Sequence, residues 1–356
     1  MERIQQIKSP DSSAIRKAEE KWKTIAKPLY SLGLLETSVN KIAGIFGNEN
    51  FRLKKRIAVI LCADNGVVEE NISQSDSTVT SAVAKAISLG NSNINLLARN
   101  FDCDVLGVDI GMKDTLDIPD LLNRKIANGT KNIAKDSAMN IEQAKQSIVT
   151  GIDLVRDLKQ QGYQIIVTGE MGIGNTTTSS AIASVMLNLP PKAVTGRGAG
   201  LDNHRLQHKI HMIEQAITIN QPDKNNPLNI LSKLGGYDIG GMTGLFLGGA
   251  IYHIPVVIDG FISSVSAMLA VMFNENVKDY LLCSHVSNET AGRKILDYLH
   301  LKPLITAELC LGEGTGGVML LPLLDGAMAI YNSSHSFDSL NMGRYVDYAG
   351  TDNRRK

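Results

Sequence analysis

Short apolar runs alternate with longer amphipathic ones through the middle of this chain, and no other feature constrains its fold as tightly. Residues 56–64 (RIAVILCAD), 103–111 (CDVLGVDIG), 163–170 (YQIIVTGE) and 254–260 (IPVVIDG) each read as a buried strand. Residues 80–100, 141–162 and 261–273 read as helices between and after them. Buried strands alternating with helices imply an α/β fold, a mostly parallel sheet flanked by helices on both faces. The first 50 or so residues and the segment from about Met319 carry helical pattern and no strong strand. The two ends are therefore expected to form a small helical domain, residues 1–50 with 320–356, beside a large α/β domain of residues 51–319 that carries the active site. The last stretch, 341–356, is expected to fray.

Composition excludes several classes. With 43% apolar and 20% charged residues over 356 positions, the chain has the makings of a packed globule rather than a disordered segment. Lys+Arg and Asp+Glu number 36 each, so no electrostatic ground exists for nucleic acid or an anionic membrane as partner. Cys62, Cys103, Cys283 and Cys310 lie far apart in apolar runs with no CxxC pair. That spacing speaks against a zinc site or disulfide framework and for reduced core thiols in a cytoplasmic protein. The N-terminus is polar, and no run of about 18 apolar residues occurs, so neither a signal peptide nor a membrane span is expected.

Parallel sheets bind ligands beyond the carboxyl ends of their strands. Glycine- and hydroxyl-rich sequences fall at such ends: CADNG (62–66), TGEMGIGNTTTSS (168–180), GRGAGLDN (196–203) and IDGF (258–261). Gly169 and Gly174 have P-loop spacing, but Asn175 stands where the lysine belongs, which argues against ATP hydrolysis. Gly174 followed by Asn175, Thr176 and Thr177 either cradles a phosphate at a helix start or simply caps that helix. Glu170 beside such a loop favours a functional reading. The helix after Gly198 carries His204, His208 and His211 without a further clustered ligand, so no metal site is expected. Lys209 on the same helix either meets an anion or is solvated. Ser287 reads as a cap or a phosphate-facing hydroxyl, and a triad of Ser287, His285 and an aspartate lacks the GxSxG elbow. Asp238 and Asp259 are expected to bond loop amides. Glu313, in LGEGTGG, is wrapped in glycine with no Lys or Arg near it in sequence. Desolvation by Leu311, Val318 and Met319 would make it a general base. The alternative is a cap for the helix starting near Thr315.

The ordered motifs KPLYSLGLLE, CADNGVVEENISQS, GEMGIGNTTTSSAI, GRGAG, LGGYDIGGMTG, LDYLHLKP and LGEGTGG together resemble the nicotinate-nucleotide–dimethylbenzimidazole phosphoribosyltransferase family of cobalamin synthesis. The similarity runs from about Lys27 to about Asn332. The resemblance implies a Rossmann-like parallel sheet, a small helical domain built from both chain ends and a homodimer. It also implies transfer of ribose 5-phosphate from nicotinate mononucleotide to a benzimidazole-type base, without metal or cofactor. By position, Glu313 is implied as the general base and Glu170 as facing the ribose. Gly174, Asn175, Thr176, Gly198, Lys209 and Ser287 are implied at the phosphate, and Ser75, Met171 and Leu311 at the base.

Two departures bear on the base pocket. Many relatives read Lys-Pro-Pro-Gly-Ser-Leu-Gly where this chain has Lys27-Pro28-Leu29-Tyr30-Ser31-Leu32-Gly33, and Val83 stands where some relatives place a base-contacting glutamine. Tyr30 and Val83 are therefore base-pocket candidates, and a purine or phenolic base stands as an alternative substrate. Tyr30 packing near Trp22 is the competing reading. A non-catalytic nucleotide-binding protein is the alternative from another class, against which both glutamates speak.

Overall fold

The computed structural model describes residues 1–115 and 117–348. In chain order the first elements are α1 (Ser12–Thr24), α2 (Leu34–Phe46), β1 (Arg56–Ala63), α3 (Thr78–Ser88), α4 (Asn93–Arg99), β2 (Asp104–Gly111), β3 (Leu122–Asn123), α5 (Ile141–Gln160) and β4 (Ile165–Met171). They are followed by α6 (Asn175–Leu187), α7 (Asn203–Asn220), α8 (Pro227–Leu234), α9 (Tyr237–Tyr252), β5 (Val256–Ile258), α10 (Phe261–Phe273), β6 (Leu281–Cys283), α11 (Gly292–Tyr298) and α12 (Thr315–Tyr331). The chain falls into two compact units: Met1–Lys8 with Lys54–Leu320, and Ser9–Leu53 with the chain from Leu321.

The larger unit is built on a six-stranded sheet of order β3-β2-β1-β4-β5-β6. Every strand pair is parallel. All eight residues of β1 are buried, as an interior parallel strand covered on both faces requires. The chain's first residues belong here rather than with the small unit. Ile4 and Ile7 are buried, Asn274 donates to the Ile4 carbonyl (2.8 Å) and Tyr280 to the Lys8 carbonyl (2.9 Å).

Two differences from the sequence reading have clear causes. The single helix expected over 80–100 is broken into α3 and α4, because Gly90 turns left-handed (φ +75°) and Ser92 starts a capping box with Asn95. The glycine-rich stretch containing Asp238 is the buried helix α9, not a loop. Its glycines let it approach α5 closely: a Cβ on Gly151 would fall 2.1 Å from the Gly241 carbonyl oxygen. Close helix contact offsets the low helix propensity of glycine there.

In the smaller unit Asp11 caps α1, accepting from Ser13 and Ala14 at 2.7 and 3.1 Å. Trp22 packs on Tyr331 with ring centroids 4.8 Å apart, and Tyr331 donates to the Glu49 carbonyl (2.8 Å). Lys27 pairs with Glu36 at 2.7 Å. In the tail expected to fray, residues 342–347 carry no helix or strand, and 349–356 lie outside the described residues.

Candidate active site

The sheet order reverses between β1 and β4, the place where open parallel sheets gather ligands. A cavity of about 210 Å³ opens beyond the strand ends on that side. Its walls come from 169–173 at the end of β4, from 259–263 after β5, from His285, Ser287 and Glu289 after β6, and from 310–313 ahead of α12. A narrow cleft of about 70 Å³ shares Thr176 and Gly198 with it and reaches Gln74, Gly174 and Lys209.

One end is suited to an anion. Gly174 (φ +93°) is the N-cap of α6 and offers it no side chain; Asn175 N–H donates to the Gly172 carbonyl (3.2 Å) and Thr177 N–H to the Gly174 carbonyl (2.9 Å), which leaves the Thr176 N–H for a ligand. Asp202 caps α7 through Arg205 N (2.8 Å), and α7 carries Lys209 into the protein. Lys209 is 1% exposed, and its Nζ donates to Thr176 Oγ1 at 2.8 Å. It forms no ion pair among the described residues. Burial pulls its pKa down to about 8, with the Glu289 charge opposing. Gly198 (φ +53°) brings bare backbone here, since a Cβ would stand 3.0 Å from Thr176 Oγ1 and 3.4 Å from Lys209 Nζ.

The other end is acidic. Glu170 keeps some surface open to the cavity but is otherwise hemmed in by protein. Burial first, and the Asp238 charge second, push its pKa up to about 8. Asn175 donates through the same Nδ2 to Glu170 and to Asp238, the latter at 3.0 Å. Asp238 is fully buried in the first turn of α9, and burial lifts its pKa to about 6.

Glu313 sits in a strained loop. Gly312, Glu313 and Gly314 all have positive φ (83°, 59° and 81°), and for a non-glycine residue this costs of order 1–3 kcal/mol. The loop lies on the end of β4: a Cβ on Gly169 would stand 2.9 Å from the Glu313 carbonyl oxygen, and one on Gly312 3.0 Å from Glu170 Oε1. Burial raises the Glu313 pKa; the Asn93 side chain and Ile94 N–H at the start of α4 oppose this, and the Asp259 charge adds to it. Glu313 Oε2 has no hydrogen-bond partner among the described residues.

The structure thus brings Glu170, Met171, Asn175, Thr176, Gly198, Ser287, Leu311 and Glu313 to one cavity, with Gly174 and Lys209 in the adjoining cleft. Leu311 lines it but is 60% exposed, so burial of Glu313 owes more to other neighbours. Ser75 precedes α3 and Val83 lies within it, and neither is among the lining residues. Tyr30 belongs to the smaller unit, where with Trp22, Lys27 and Glu36 it lines a separate cavity of about 480 Å³. Its φ is +61°, a conformation that favours glycine, and its hydroxyl donates to Asp347. The capping considered for Glu313 falls instead to Asp259, which accepts from Gly317 N (2.8 Å) and Gly314 N (3.3 Å). In place of a triad, buried Ser284 lies 3.0 Å from His285 Nδ1 and donates to the Ile258 carbonyl (2.6 Å). The described residues hold no group of three or more His, Cys, Asp or Glu suited to a metal ion. Sequence reasoning placed Phe261 in a strand-end loop and weighed His285 only for a triad, and it missed Glu289 and Ile262 as wall residues. Their common signal was position just after a strand.

A family profile described as Phosphoribosyltransferase matches residues 7–341. The nicotinate-nucleotide–dimethylbenzimidazole phosphoribosyltransferase of Ruminiclostridium cellulolyticum is 42% identical over 344 residues, covering 97% of this chain and 98% of its own. The enzyme of that name from Clostridium acetobutylicum is 40% identical over 342 residues, covering 96% and 97%. Among solved structures, CobT from Thermus thermophilus is similar with a TM-score of 0.88 at 33% identity, covering 94% of this chain and 100% of that one.

Proposed function

Because the chain belongs to the nicotinate-nucleotide–dimethylbenzimidazole phosphoribosyltransferase family, we propose that it moves ribose 5-phosphate from nicotinate mononucleotide to 5,6-dimethylbenzimidazole or a related base. The products are the α-ribazole 5′-phosphate and nicotinate. The observation that carries this reading is the two-ended site: a buried lysine without a carboxylate partner at an uncapped helix start, and two carboxylates across the cavity.

In this reading the 5-phosphate sits against the α6 N-terminus, Thr176, Gly198, Lys209 and Ser287, where N–H groups, helix dipole and ammonium favour negative charge. Glu170 faces the ribose. The pyridinium of the bound nucleotide and the positive charge growing at C1 favour its ionised form, opposing the burial that holds it neutral in the empty site. One nitrogen of the base attacks C1 from the face opposite nicotinate. The new C–N bond forms as the old one breaks, and the bonding pair neutralises the pyridinium, so no strong acid is required. The other base nitrogen loses its proton to Glu313 Oε2. Attack opposite the leaving group turns the β linkage into α. Met171 and Leu311 line the base side of the cavity. The active species is read as a homodimer in the cytoplasm, and equilibrium sedimentation tests the first point.

Incubation with nicotinate mononucleotide and dimethylbenzimidazole, read by mass spectrometry, tests the reaction. Stoichiometric α-ribazole 5′-phosphate and nicotinate are expected. Tight nucleotide binding without product over a panel of benzimidazoles, purines and phenols would instead mark a binding protein.

A further inference from the structure

Glu313 is held by something other than its own sequence. Three successive left-handed residues are a poor local minimum, and such a conformation persists only where the surroundings over-determine it. The mechanism above uses neither Asp259 nor the groups that hold it, yet Asp259 lies in the cavity wall at 4% exposure and forms no ion pair with a lysine or arginine among the described residues. Both of its carboxylate oxygens accept from the backbone just after Glu313, Oδ2 from Gly314 N in the loop at 3.3 Å and Oδ1 from Gly317 N in the first turn of α12 at 2.8 Å.

We propose that Asp259 is the positioning residue for Glu313: anchored at the end of β5, its carboxylate grips the backbone on the C-terminal side of Glu313 and fixes where that side chain meets the substrate. The inference rests on the assignment of Glu313 as general base.

Each part of the anchor is accounted for. Asp259 N donates to Ser263 Oγ at 3.1 Å, and that hydroxyl lies 2.6 Å from Thr168 Oγ1. Thr168 in turn donates to the Val257 carbonyl at 2.8 Å, two residues before Glu170 on β4. The strand that carries Glu170 and the loop that carries Glu313 are thus referenced to one point. Ser284 donates to the Asp259 carbonyl at 3.0 Å, which fixes the backbone from the β6 side. Burial raises the Asp259 pKa; the His285 charge, and after it the N–H groups of Gly314, Gly316 and Gly317 at the positive end of the α12 dipole, oppose this and favour the carboxylate. Glycine is required at the contact: a Cβ on Gly316 would fall 2.2 Å from His285 Cε1 and 3.1 Å from Asp259 Oδ1, and one on Gly317 2.4 Å from Val167 Cγ1. The same carboxylate raises the pKa of Glu313 through its charge, which suits a base.

Asparagine at 259 keeps the shape but lacks the charge and can accept with only one of its two terminal atoms. A misplaced base loses rate far more than it loses binding. Asp259→Asn is therefore expected to lower kcat by about 10- to 30-fold with the KM for nicotinate mononucleotide within about threefold. The deciding experiment is a double-mutant cycle on kcat with Glu313→Gln. If Asp259 acts through Glu313, Asp259→Asn costs less than about twofold once Glu313 is already glutamine. Calorimetric binding of nicotinate mononucleotide establishes that each variant is folded. Should Asp259→Asn fail to fold, Ser263→Ala loosens the same anchor with the carboxylate retained. It is expected to cost about threefold in kcat, and nothing in the Glu313→Gln background. Unchanged kcat in Asp259→Asn, or equal losses in both backgrounds, overturns the positioning role and leaves Glu313 as the base. Near-normal turnover of Glu313→Gln alone removes the base assignment, and this inference with it.

Discussion

The two ends of the cavity are built on opposite principles. The anion end is ordinary secondary structure: a helix start with the Thr176 N–H left open, a cap that is only a glycine, and one lysine delivered by a neighbouring helix. Nothing there is strained beyond glycines whose φ is positive. The acid end is the reverse, with a glutamate in a left-handed conformation, a second glutamate raised to about 8 and two buried aspartates behind them. Regular structure suffices to hold a phosphate, because helix ends carry that affinity already. A base placed to within a fraction of an ångström requires backbone that only surrounding contacts keep in place.

This contrast predicts separable losses. Glu313→Gln is expected to lower turnover by at least about 10²-fold, the usual scale for a lost general base, as steady-state kinetics with dimethylbenzimidazole would measure. Near-normal activity contradicts the assignment. Lys209→Ala removes a charge-assisted phosphate contact worth roughly 1.5–3 kcal/mol, so nicotinate mononucleotide should bind about 10- to 100-fold more weakly while KM for the base hardly moves. Equal losses for both substrates would erase the distinction between the ends. The pH profile sharpens it. Lys209 is held down near a pKa of about 8 by burial, so the free enzyme carries the ammonium below that pH and loses it above. The wild-type kcat/KM for nicotinate mononucleotide should then decline about tenfold per unit well above pH 8. Glu170 titrates in the same range, so the control is Lys209→Ala, whose lower kcat/KM should show no such decline.

The smallest effect is expected away from both ends. Tyr30→Gly relieves a left-handed tyrosine but loses ring packing and the bond to Asp347. A shift of a few degrees in Tm with KM for the nucleotide unchanged is expected. A reordered kcat/KM across several bases would instead place Tyr30 in the base pocket.

The parts legible in the sequence are those with local causes. Strands such as β1 and β4 announce themselves as apolar runs, and Gly174–Thr176 carried the phosphate reading because helix starts are written in adjacent residues. The helix α9 was hidden because its glycines make no 3.6-residue stripe; its partner is α5, about 90 residues earlier in sequence, and only contact with that helix makes glycine favourable. The break at Gly90 was legible in principle, as glycine followed by a serine cap, but lay inside a long helical pattern. Glu313 was conspicuous for its glycines, whereas its anchor, 54 positions earlier in IDGF, looked like any turn aspartate. A hydrogen bond from Gly317 to Asp259 has no local trace. Ser75 and Val83 came from resemblance alone, and neither reaches the cavity wall.

The central claim is that binding and chemistry reside at different ends of one cavity. Calorimetric titration of nicotinate mononucleotide into Glu313→Gln and Lys209→Ala, side by side with wild type, tests it most directly. The account predicts a Kd within about threefold of wild type for Glu313→Gln and at least about tenfold weaker for Lys209→Ala. Equal weakening in both variants, or weakening confined to Glu313→Gln, would contradict it.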